Sequence, residues 1–597
     1  MFADCVELWY IVCMLWCKAC GQSVNSNICP TCKSSAQEDI PTQIMWCNNC
    51  MIPIIQEVTN KSEECPLCKG KILYLSTDIR PCFPEERLWF ELIKGIPLKY
   101  LKDSVWVNNN KYYVNGKVIN LASTELEKLD ANYAKERLLE LQEENRENNF
   151  DKYIILFVRA NENRLAYIKD EAFDYIRKEK AKGYTNEQII TSFSGGKDST
   201  VVADLVVRAL GDPSIVHIFG DTTLEFPLTH AYVARYRKEN SRAIFRTARN
   251  KDNCFFKVAE EIGPPARMMR WCCTMFKTGP ITRTINSLFA ETKILTFYGV
   301  RKNESVSRSK YNRTEDDGTA VKILRQKVAS PIFFWSDAEI WLYILGENID
   351  FNDAYRLGYD RVGCWLCPNN NQRAQELSKI YMKEDFDSWR DFLVKFAKSV
   401  GKPDAEVYVD SGAWKARQGG AGVAAAESVK IKHANCTAEE NAKIYSVENP
   451  INDDFHSLFT PFGKVSKELG RKIVDEVLVL DLASMESIIS IQPMNTSDFR
   501  FAVKIKVTKT KSMSNSKFED LQRMIAYQIR KWNACRQCLK CESLCKYGAI
   551  AITKSRYAID EKKCKKCKVC VSQKHLVGGC LMSRFLKQRS GIYDDEI

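Results

Sequence analysis

The chain has 597 residues and a mass of 68.5 kDa, which at roughly 150 residues per domain predicts about three to five domains. Hydrophobic residues make up 45% and charged residues 27%, a balance that excludes a wholly disordered or fibrous protein. No apolar run reaches the roughly 20 residues that span a bilayer. The run at residues 8–16 has no basic lead-in, so neither a membrane anchor nor a signal peptide is expected.

The net charge of +13 is concentrated at one end of the chain. Residues 501–597 contain 22 Lys and Arg against 8 Asp and Glu, a local charge of +14, so the first 500 residues sum to −1. Three explanations fit this basic tail: compensation of anionic metal clusters, docking of an acidic electron carrier, or contact with nucleic acid. The first two together are favoured over the third.

Cysteine is unusually frequent and clustered. Of 25 cysteines, eleven lie in the first 82 residues and eight between Cys535 and Cys580, mostly as C-x2-C pairs. Such pairs in a long, enzyme-like chain are typical of metal ligands rather than disulfides, so a reducing, cytoplasmic location is predicted. With only five His residues, the metals would be held mainly by sulfur.

Residues 1–84 are predicted to form tandem zinc ribbons. The ligands would be Cys17, Cys20, Cys29 and Cys32 for one site, and Cys47, Cys50, Cys65 and Cys68 for the other. Two C-x2-C pairs supply four thiolates to a closed tetrahedral site, which favours zinc over iron. Such ribbons need their metal to fold, and they act as scaffolds or as docking surfaces for a partner or nucleic acid.

Residues 85–162 read as an α+β connecting region with a hairpin at 111–116 and a surface helix at 126–145. Residues 163–411 alternate short apolar strands with amphipathic helices, which predicts a parallel α/β sheet. Its strand candidates are 189–193, 215–219, 243–245 and 294–298. Residues 412–530 read as a small α+β module with strands at 474–480, 487–491 and 499–507 and a helix at 517–532.

A phosphate loop is predicted where the first central strand meets its helix. The sequence Ser194-Gly195-Gly196-Lys197-Asp198-Ser199 supplies two glycines, backbone N–H groups at a helix N-terminus, one cation and two hydroxyls. It differs from the G-x-x-x-x-G-K-[ST] loop of kinases. It resembles the S-G-G-K-D-S loop of the PP-loop ATP pyrophosphatases, which implies binding of Mg-ATP or a related adenine nucleotide.

Four further segments are similar to the phosphoadenosine phosphosulfate (PAPS) reductase family. They are Asp221-Thr222 with Phe226-Pro227, Cys272-Cys273 with Lys277 and Pro280, Gly299-Val300-Arg301 with Arg308, and Pro331-Ile332 leading to Cys364 and Cys367. The resemblance covers residues 163–411. It implies Asp221 beside the nucleotide and Arg301 and Arg308 on its phosphate or sulfate, since guanidinium groups bind oxyanions bidentately. Lys197, Asp198, Arg301 and Arg308 are the predicted catalytic residues.

The four central cysteines, Cys272, Cys273, Cys364 and Cys367, could supply the thiolates of one [4Fe–4S] cluster. The pattern resembles that of the adenosine phosphosulfate (APS) reductases and the DNA phosphorothioation sulfurtransferases, and zinc is the alternative. Two departures matter. The reductases of this family do not keep the lysine of the loop, and they end in a mobile segment with an attacking Cys, for which Cys436 is the one weak candidate here.

Residues 531–597 resemble a bacterial ferredoxin with two [4Fe–4S] clusters. The eight predicted ligands are Cys535, Cys538, Cys541, Cys545, Cys564, Cys567, Cys570 and Cys580. The fourth Cys of each run is expected to ligate the other cluster, which predicts Cys580 with the first three cysteines and Cys545 with the second three. The surrounding lysines fit an external electron donor of the ferredoxin or flavodoxin type.

The predicted architecture is therefore a multidomain α/β protein. A central parallel-sheet PP-loop domain, of the adenine nucleotide alpha hydrolase-like class, is flanked by zinc ribbons and a bacterial-type ferredoxin domain. The leading hypothesis is an enzyme that adenylylates an acceptor with pyrophosphate release and then transfers sulfur to it, the acceptor being DNA, RNA or a small molecule. The alternatives are an APS or PAPS reductase that forms sulfite with electrons from its ferredoxin domain, and a nucleic-acid-binding accessory subunit with a nucleotide-sensing pocket.

Overall fold

The computed structural model describes residues 15–17, 22–24, 30–31, 33, 41–60, 62–289, 292–305, 308–316, 325–416, 432–496, 499–511, 513–553 and 556–572. The predicted ligands Cys20, Cys29, Cys32 and Cys580 lie outside these residues. Within them, no helix combines the length and the apolarity that a membrane span requires.

The N-terminal part contains two small antiparallel sheets. Its strands are β1 (Leu15–Cys17), β2 (Gln22–Val24), β3 (Thr42–Cys47), β4 (Ile52–Glu57) and β5 (Ile72–Ser76). β1 pairs with β2, and β3 lies between β4 and β5. The second sheet carries Cys47 at the end of β3 and the two turns that hold the other three cysteines of the set.

The connecting region forms a four-stranded sheet flanked by helices. Its elements are β6 (Arg80–Pro81), α1 (Pro84–Ile93), β7 (Val105–Asn108), β8 (Lys111–Val114), β9 (Lys117–Asn120), α2 (Ser123–Leu126), α3 (Ala131–Glu140), α4 (Gln142–Arg146), α5 (Phe150–Ala160) and α6 (Glu162–Lys180). The predicted hairpin is confirmed: Asn115 and Gly116 both have positive φ in its two-residue turn. The single helix predicted over 126–145 is wrong, because the Asp130 carboxylate caps a new helix by accepting from the Tyr133 N–H.

The central part is a six-stranded, mostly parallel sheet. Its elements are β10 (Ile189–Phe193), α7 (Lys197–Leu210), β11 (Val216–Asp221), α8 (Pro227–Glu239), β12 (Ile244–Arg249), α9 (Phe255–Ile262), α10 (Gly279–Phe289), β13 (Ile294–Tyr298), β14 (Thr314–Glu315), β15 (Gln326–Ala329), α11 (Asp337–Gly346), α12 (Gln372–Tyr381), α13 (Lys383–Ser399) and α14 (Ala405–Asp410). The strand order is β12-β11-β10-β13-β15-β14, with only β14 antiparallel. The predicted parallel sheet is thus confirmed, and β10 and β13 have the predicted bounds.

One apolar core joins the ribbon to the central sheet. Ile44 and Trp46 of β3 belong to the same buried cluster as Leu205 of α7 and Phe297 of β13. A buried ion network adds to this junction: Arg80 binds Glu86 at 2.6 Å and Asp360 at 2.6 Å, and Arg373 also contacts Glu86. The N-terminal segment is therefore fixed against the central part by both packing and charge.

The C-terminal part continues as an antiparallel six-stranded sheet and a small cysteine-bearing unit. Its elements are β16 (His433–Asn435), β17 (Ala442–Val447), α15 (Asp453–Ser457), β18 (Lys464–Ser466), β19 (Val477–Leu480), β20 (Ser487–Met494), β21 (Phe501–Val507), α16 (Asn515–Ala534), α17 (Lys540–Leu544), β22 (Ile550–Thr553), β23 (Arg556–Ile559) and α18 (Val569–Ser572). The order β16-β17-β21-β20-β19-β18 includes the three predicted strands. The sheet and the cysteine-bearing unit share one apolar core.

Candidate active site and cysteine centres

The phosphate loop lies between β10 and α7, as the sequence predicts. Gly195 has φ +71°, and a Cβ there would come within 2.9 Å of Thr229, so this position requires glycine. The Ser199 hydroxyl donates to the Gly196 carbonyl at 2.8 Å and accepts from the Ser194 N–H at 3.1 Å. These bonds fix the conformation of the loop at the carboxyl edge of the sheet, where ligands of parallel α/β proteins bind.

Two residues from a distant part of the chain support the loop. The Tyr355 hydroxyl accepts from the Lys197 N–H at 3.0 Å, and the Asn352 amide donates to the Gly195 carbonyl at 3.1 Å. Sequence reasoning identified neither residue. Both lie about 160 positions beyond the loop, in a segment without a recognisable motif.

A buried network of alternating charges stands at the start of α7. The Lys197 ammonium lies 3.2 Å from Asp198 and 3.1 Å from Asp337, and Arg301 bonds the same two carboxylates at 2.5 and 2.8 Å. Lys197 and Arg301 are each 5% exposed. The structure thus brings three predicted residues together and adds Asp337, whose place at the start of α11 follows from the Ser336 N-cap and Glu339 capping box.

The network shifts the pKa values of its members. Burial alone would lower the pKa of the Lys197 ammonium, but Asp198 and Asp337 hold it above its ordinary value. Burial would raise the pKa of Asp198, yet Arg301 and Lys197 lower it to about 2. Both groups are therefore charged near neutral pH, and an entering phosphate has to compete with the carboxylates for the cations.

A third carboxylate, from outside the central part, contacts this network. Asp78 accepts from the Asp337 N–H at 2.9 Å and the Ala338 N–H at 3.1 Å, at the N-terminus of α11. Burial, and next the charge of Asp337, raise the pKa of Asp78 to about 6. No sequence signal marks Asp78, which precedes Asp337 by 259 positions.

A cavity of about 990 Å³ opens over the loop. Lys197, Asp198, Arg301 and Arg308 all line it, as do Ser194, Gly196 and Ser199 of the loop, Lys277 and Cys364. Arg308 forms an ion pair with Glu304, and burial and the neighbouring Arg361 lower its pKa. The cavity therefore holds several cations and hydroxyl donors suited to an anionic ligand.

The predicted nucleotide residue Asp221 does not line this cavity. It ends β11, accepts from the Thr223 N–H at 2.9 Å and lies 3.8 Å from Arg249. Asp221, Glu225 and His230 have ligand atoms within 4.8 Å of one another, and of the three only Glu225 lines the cavity. The role of Asp221 beside the nucleotide stays a prediction.

The structure brings the central cysteines close to one another, and of the four Cys364 lines the cavity. Cys273 begins a short π-helix, Cys273–Thr278, and Cys364 lies across from it, 3.3 Å from the Thr222 hydroxyl. A hydrogen bond with Cys272, helped by Arg270 at 3.5 Å, lowers the pKa of Cys273 to about 5. Burial and Glu225 raise the pKa of Cys364 to about 12. The Cys272 thiol interacts electrostatically with Cys273, Cys364 and Cys367.

The ribbon cysteines and the central cysteines differ in spacing. A tetrahedral zinc ion with bonds of about 2.3 Å places its sulfurs about 3.8 Å apart. In the ribbon, the Cys47–Cys68 and Cys50–Cys65 sulfur distances are 3.5 and 3.9 Å, which fits one zinc ion. Among the described residues, the central set contains no three cysteines with sulfurs within 4.8 Å of one another. The central set therefore lacks the compact sulfur spacing of one tetrahedral zinc ion.

Seven of the eight terminal cysteines lie within the described residues. Cys564 interacts electrostatically with Cys545 and Cys567, and Cys570 with Cys541, Cys545 and Cys564. Cys545 therefore lies beside the second run of cysteines, which is the arrangement that the crossed ligand pattern requires. The assignment of clusters to these sets stays a prediction.

The terminal cysteine unit packs directly on the π-helix segment. Cys538 belongs to the same apolar cluster as Cys272 and Cys364. A Cβ at Gly279, next to the π-helix, would lie 2.6 Å from the Leu539 Cβ. Arg283 of α10 binds Glu542 of α17 at 2.8 Å. The first terminal run of cysteines and the central set thus lie on either side of one small interface.

These features fit a nucleotide-binding α/β enzyme in which the predicted phosphate loop lies near a set of cysteines. Residues 188–370 match the family model of the phosphoadenosine phosphosulfate reductase domain. An uncharacterized protein of Methanocaldococcus jannaschii is 32% identical over 268 residues, which are 45% of this chain and about half (53%) of the relative. Adenosine 5′-phosphosulfate reductase 1 of Bacillus subtilis is 27% identical over 199 residues, 33% of this chain and 80% of the relative.

Among solved structures, the phosphoadenylyl-sulfate reductase of Candida auris matches 32% of this chain and 87% of its own, with 17% identity and a TM-score of 0.26. The family model and the curated relatives support the PAPS reductase/PP-loop family for the central part of the chain. They also support an enzyme of the sulfonucleotide reductase/PP-loop class.

Proposed function

We propose that the protein is a sulfonucleotide reductase. It would bind APS or PAPS in the cavity and reduce it with two electrons and one proton to the nucleoside phosphate and hydrogen sulfite. The bond between sulfur and the bridging phosphate oxygen breaks, and its electron pair stays on the oxygen. The two electrons of the reduction become the lone pair on the sulfite sulfur. The observation that carries this proposal is the packing of the terminal cysteine unit on the segment that bears Cys272 and Cys273.

The chain's own residues have separate tasks in this scheme. The Lys197 ammonium at the start of α7 would bind the phosphate, while Arg301 and Arg308 would bind the sulfate end. Release of the nucleoside phosphate creates negative charge on oxygen, and these buried cations stabilise it. The hydrogen bonds of Tyr355 and Asn352 to the loop hold it in position before a ligand binds.

Cysteines would hold the redox groups. Cys272, Cys273, Cys364 and Cys367 would hold the central [4Fe–4S] cluster, and the terminal cysteines would hold two more. Such clusters, when bound, supply electrons one at a time. Because the electrons enter from the terminal unit, the scheme does not require the mobile attacking Cys of the family. Cys436 follows the edge strand β16 and does not line the cavity.

A second candidate is the ATP-dependent sulfur transferase. It is favoured by Lys197, which the resemblance associates with ATP cleavage and which lines the cavity. In that scheme the acceptor oxygen attacks the α-phosphate of ATP and pyrophosphate leaves. A hydrosulfide ion from an external sulfide donor then bonds to the acceptor atom, and AMP leaves with the oxygen that it had adenylylated.

Assays of sulfite and pyrophosphate formation by the anaerobically purified protein distinguish the two candidate functions. With a low-potential reductant, sulfite and AMP should form from APS, or sulfite and the bisphosphate from PAPS, while Mg-ATP remains intact. Pyrophosphate release from Mg-ATP without sulfite formation would refute the reductase and favour the transferase. Stimulation of that release by DNA or RNA would identify the acceptor class.

A further inference from the structure

The cavity extends well beyond the phosphate loop. Its volume of about 990 Å³ is at the upper end of the range for pockets that enclose one drug-sized ligand. Part of its wall comes from residues before 110, outside the segment 188–370 that matches the family model. This part of the wall is therefore contributed by the N-terminal sheet and the connecting sheet, which lie against the central sheet.

The chemistry of this added wall differs from that of the loop. Its charged residues, Asp78 and Arg80, are engaged with the N-terminus of α11 and with Glu86 and Asp360. The remaining polar groups include Gln43, Tyr74, Asn108 and Asn109, which are neutral. The Asn109 amide donates to the Asn108 Oδ1 at 2.9 Å, a bond that a base could replace. Amides and an aromatic ring are poorly suited to a phosphate but well suited to a flat heterocycle with donors and acceptors on its edges.

Tyr74 is the aromatic residue of this wall and lies on the edge strand β5. β5 pairs in regular register with β3 from Ile72 to Tyr74. Alternation therefore places Leu73 and Tyr74 on opposite faces of the strand, and they are 50% and 59% exposed. Tyr74 lines the cavity, whereas Leu73 does not.

We propose that Gln43, Tyr74, Asn108 and Asn109 form a nucleobase-binding wall. The tyrosine ring would stack on the heterocycle and the amides would bond to its edges, as Asn and Gln do with adenine. The base belongs either to the nucleotide whose phosphates occupy the loop or to a nucleic-acid acceptor. This inference rests on the proposed function only in requiring that the loop binds an adenine nucleotide.

Equilibrium binding to the full-length, metal-loaded protein without reductant tests the wall, because no turnover is involved. The probes are AMP, inorganic pyrophosphate and a short single-stranded RNA. Tyr74→Ala should weaken AMP binding by about 5- to 150-fold, the loss that removal of one stacked base contact gives. Tyr74→Phe should bind AMP as the wild type does, and pyrophosphate, which has no base, should bind all variants equally.

Tyr133→Ala is the matched control, since Tyr133 is 54% exposed on α3 and does not line the cavity. If Tyr74→Ala loses ribbon zinc, Asn108→Ala tests the same wall from the connecting sheet. Weaker RNA binding with unchanged AMP binding would assign the wall to the acceptor's base. If the affinities for AMP and for RNA are both unchanged, the nucleobase-binding wall is refuted but the proposed function is not. Failure of the wild type to bind AMP would refute the proposed function as well.

Discussion

Replacement of Lys197 by methionine removes the cation at the start of α7 and keeps most of the side-chain length. Lys197 is 5% exposed, and its ammonium lies within 3.2 Å of two carboxylates at the cavity wall. A hydrogen bond to a charged group contributes about 1.5–3 kcal/mol. Loss of one such contact to a ligand phosphate should raise the Kd for AMP or APS by about 13- to 160-fold.

The same variant changes the acid stability of the site. In the wild type, Arg301 and Lys197 outweigh burial and lower the pKa of Asp198 to about 2, below its ordinary value of 3.8. Ionised Asp198 therefore contributes stability that is complete above the unfolded pKa and is lost as the pH falls through the folded one. Without Lys197 the folded pKa of Asp198 rises, so this contribution becomes smaller and its loss is complete at a higher pH.

Isothermal titration with AMP at neutral pH measures the first effect, and unfolding at a series of acidic pH values measures the second. Lys238→Met is the matched control, because Lys238 is exposed on α8 and does not line the cavity. A Kd for Lys197→Met within about twofold of the control would refute phosphate binding by Lys197. Iron content equal to that of the wild type shows that the neighbouring thiol centre is intact.

Four further outcomes are expected. Cys68→Ser should lose one zinc per chain, because the ribbon site has no spare thiolate. Cys367→Ser should lower the anaerobic iron content from about twelve to about eight atoms per chain. Arg283→Met, which removes a partly exposed pair with Glu542, should weaken docking of the terminal unit by about 1 kcal/mol and lower kcat up to about fivefold at constant KM. Glu86→Gln leaves two buried guanidinium groups underpaired and should cost about 3–5 kcal/mol of stability, seen as a lower melting temperature.

Each of these outcomes has a control. Cys436→Ser should change neither zinc nor iron, since Cys436 lies outside all the cysteine sets, and metal loss in this variant would contradict the assignments. Arg390→Met removes a surface pair with Asp410 and should leave kcat unchanged. A raised KM in Arg283→Met would mean that Arg283 acts on the nucleotide site. A melting temperature unchanged in Glu86→Gln would show that the junction is held by packing alone.

The local parts of the site could be predicted from the sequence. A glycine loop between a strand and a helix, and cysteines two residues apart, are contiguous patterns whose chemistry follows from their spacing. The strands β10 and β13 were predictable because short apolar runs bounded by polar residues mark buried strands. Strand ends elsewhere differed by a few residues, as in β19, where 474–476 stay outside the sheet.

The parts contributed by distant segments could not be predicted. Asp78 reaches the N-terminus of α11 only because the ribbon packs on the central sheet, and no local pattern encodes that contact. Tyr355 likewise supports the loop through the tertiary fold. The docking of the terminal cysteine unit on the central part could not be predicted either, because it depends on the close packing of Gly279 and Leu539 rather than on any motif.

The lack of a side chain at Gly279 sets how closely the two cysteine-bearing surfaces approach. A single methyl group there would collide with the Leu539 Cβ and with the Thr274 carbonyl at 2.8 Å. In the proposed reductase, this close packing would keep the distance between the two cysteine sets short, and electron tunnelling slows steeply as the gap between redox centres widens. The contact with Leu539 arises from the packing of the terminal unit, whereas the contact with Thr274 is local to the π-helix segment, so two separate constraints favour glycine at this position.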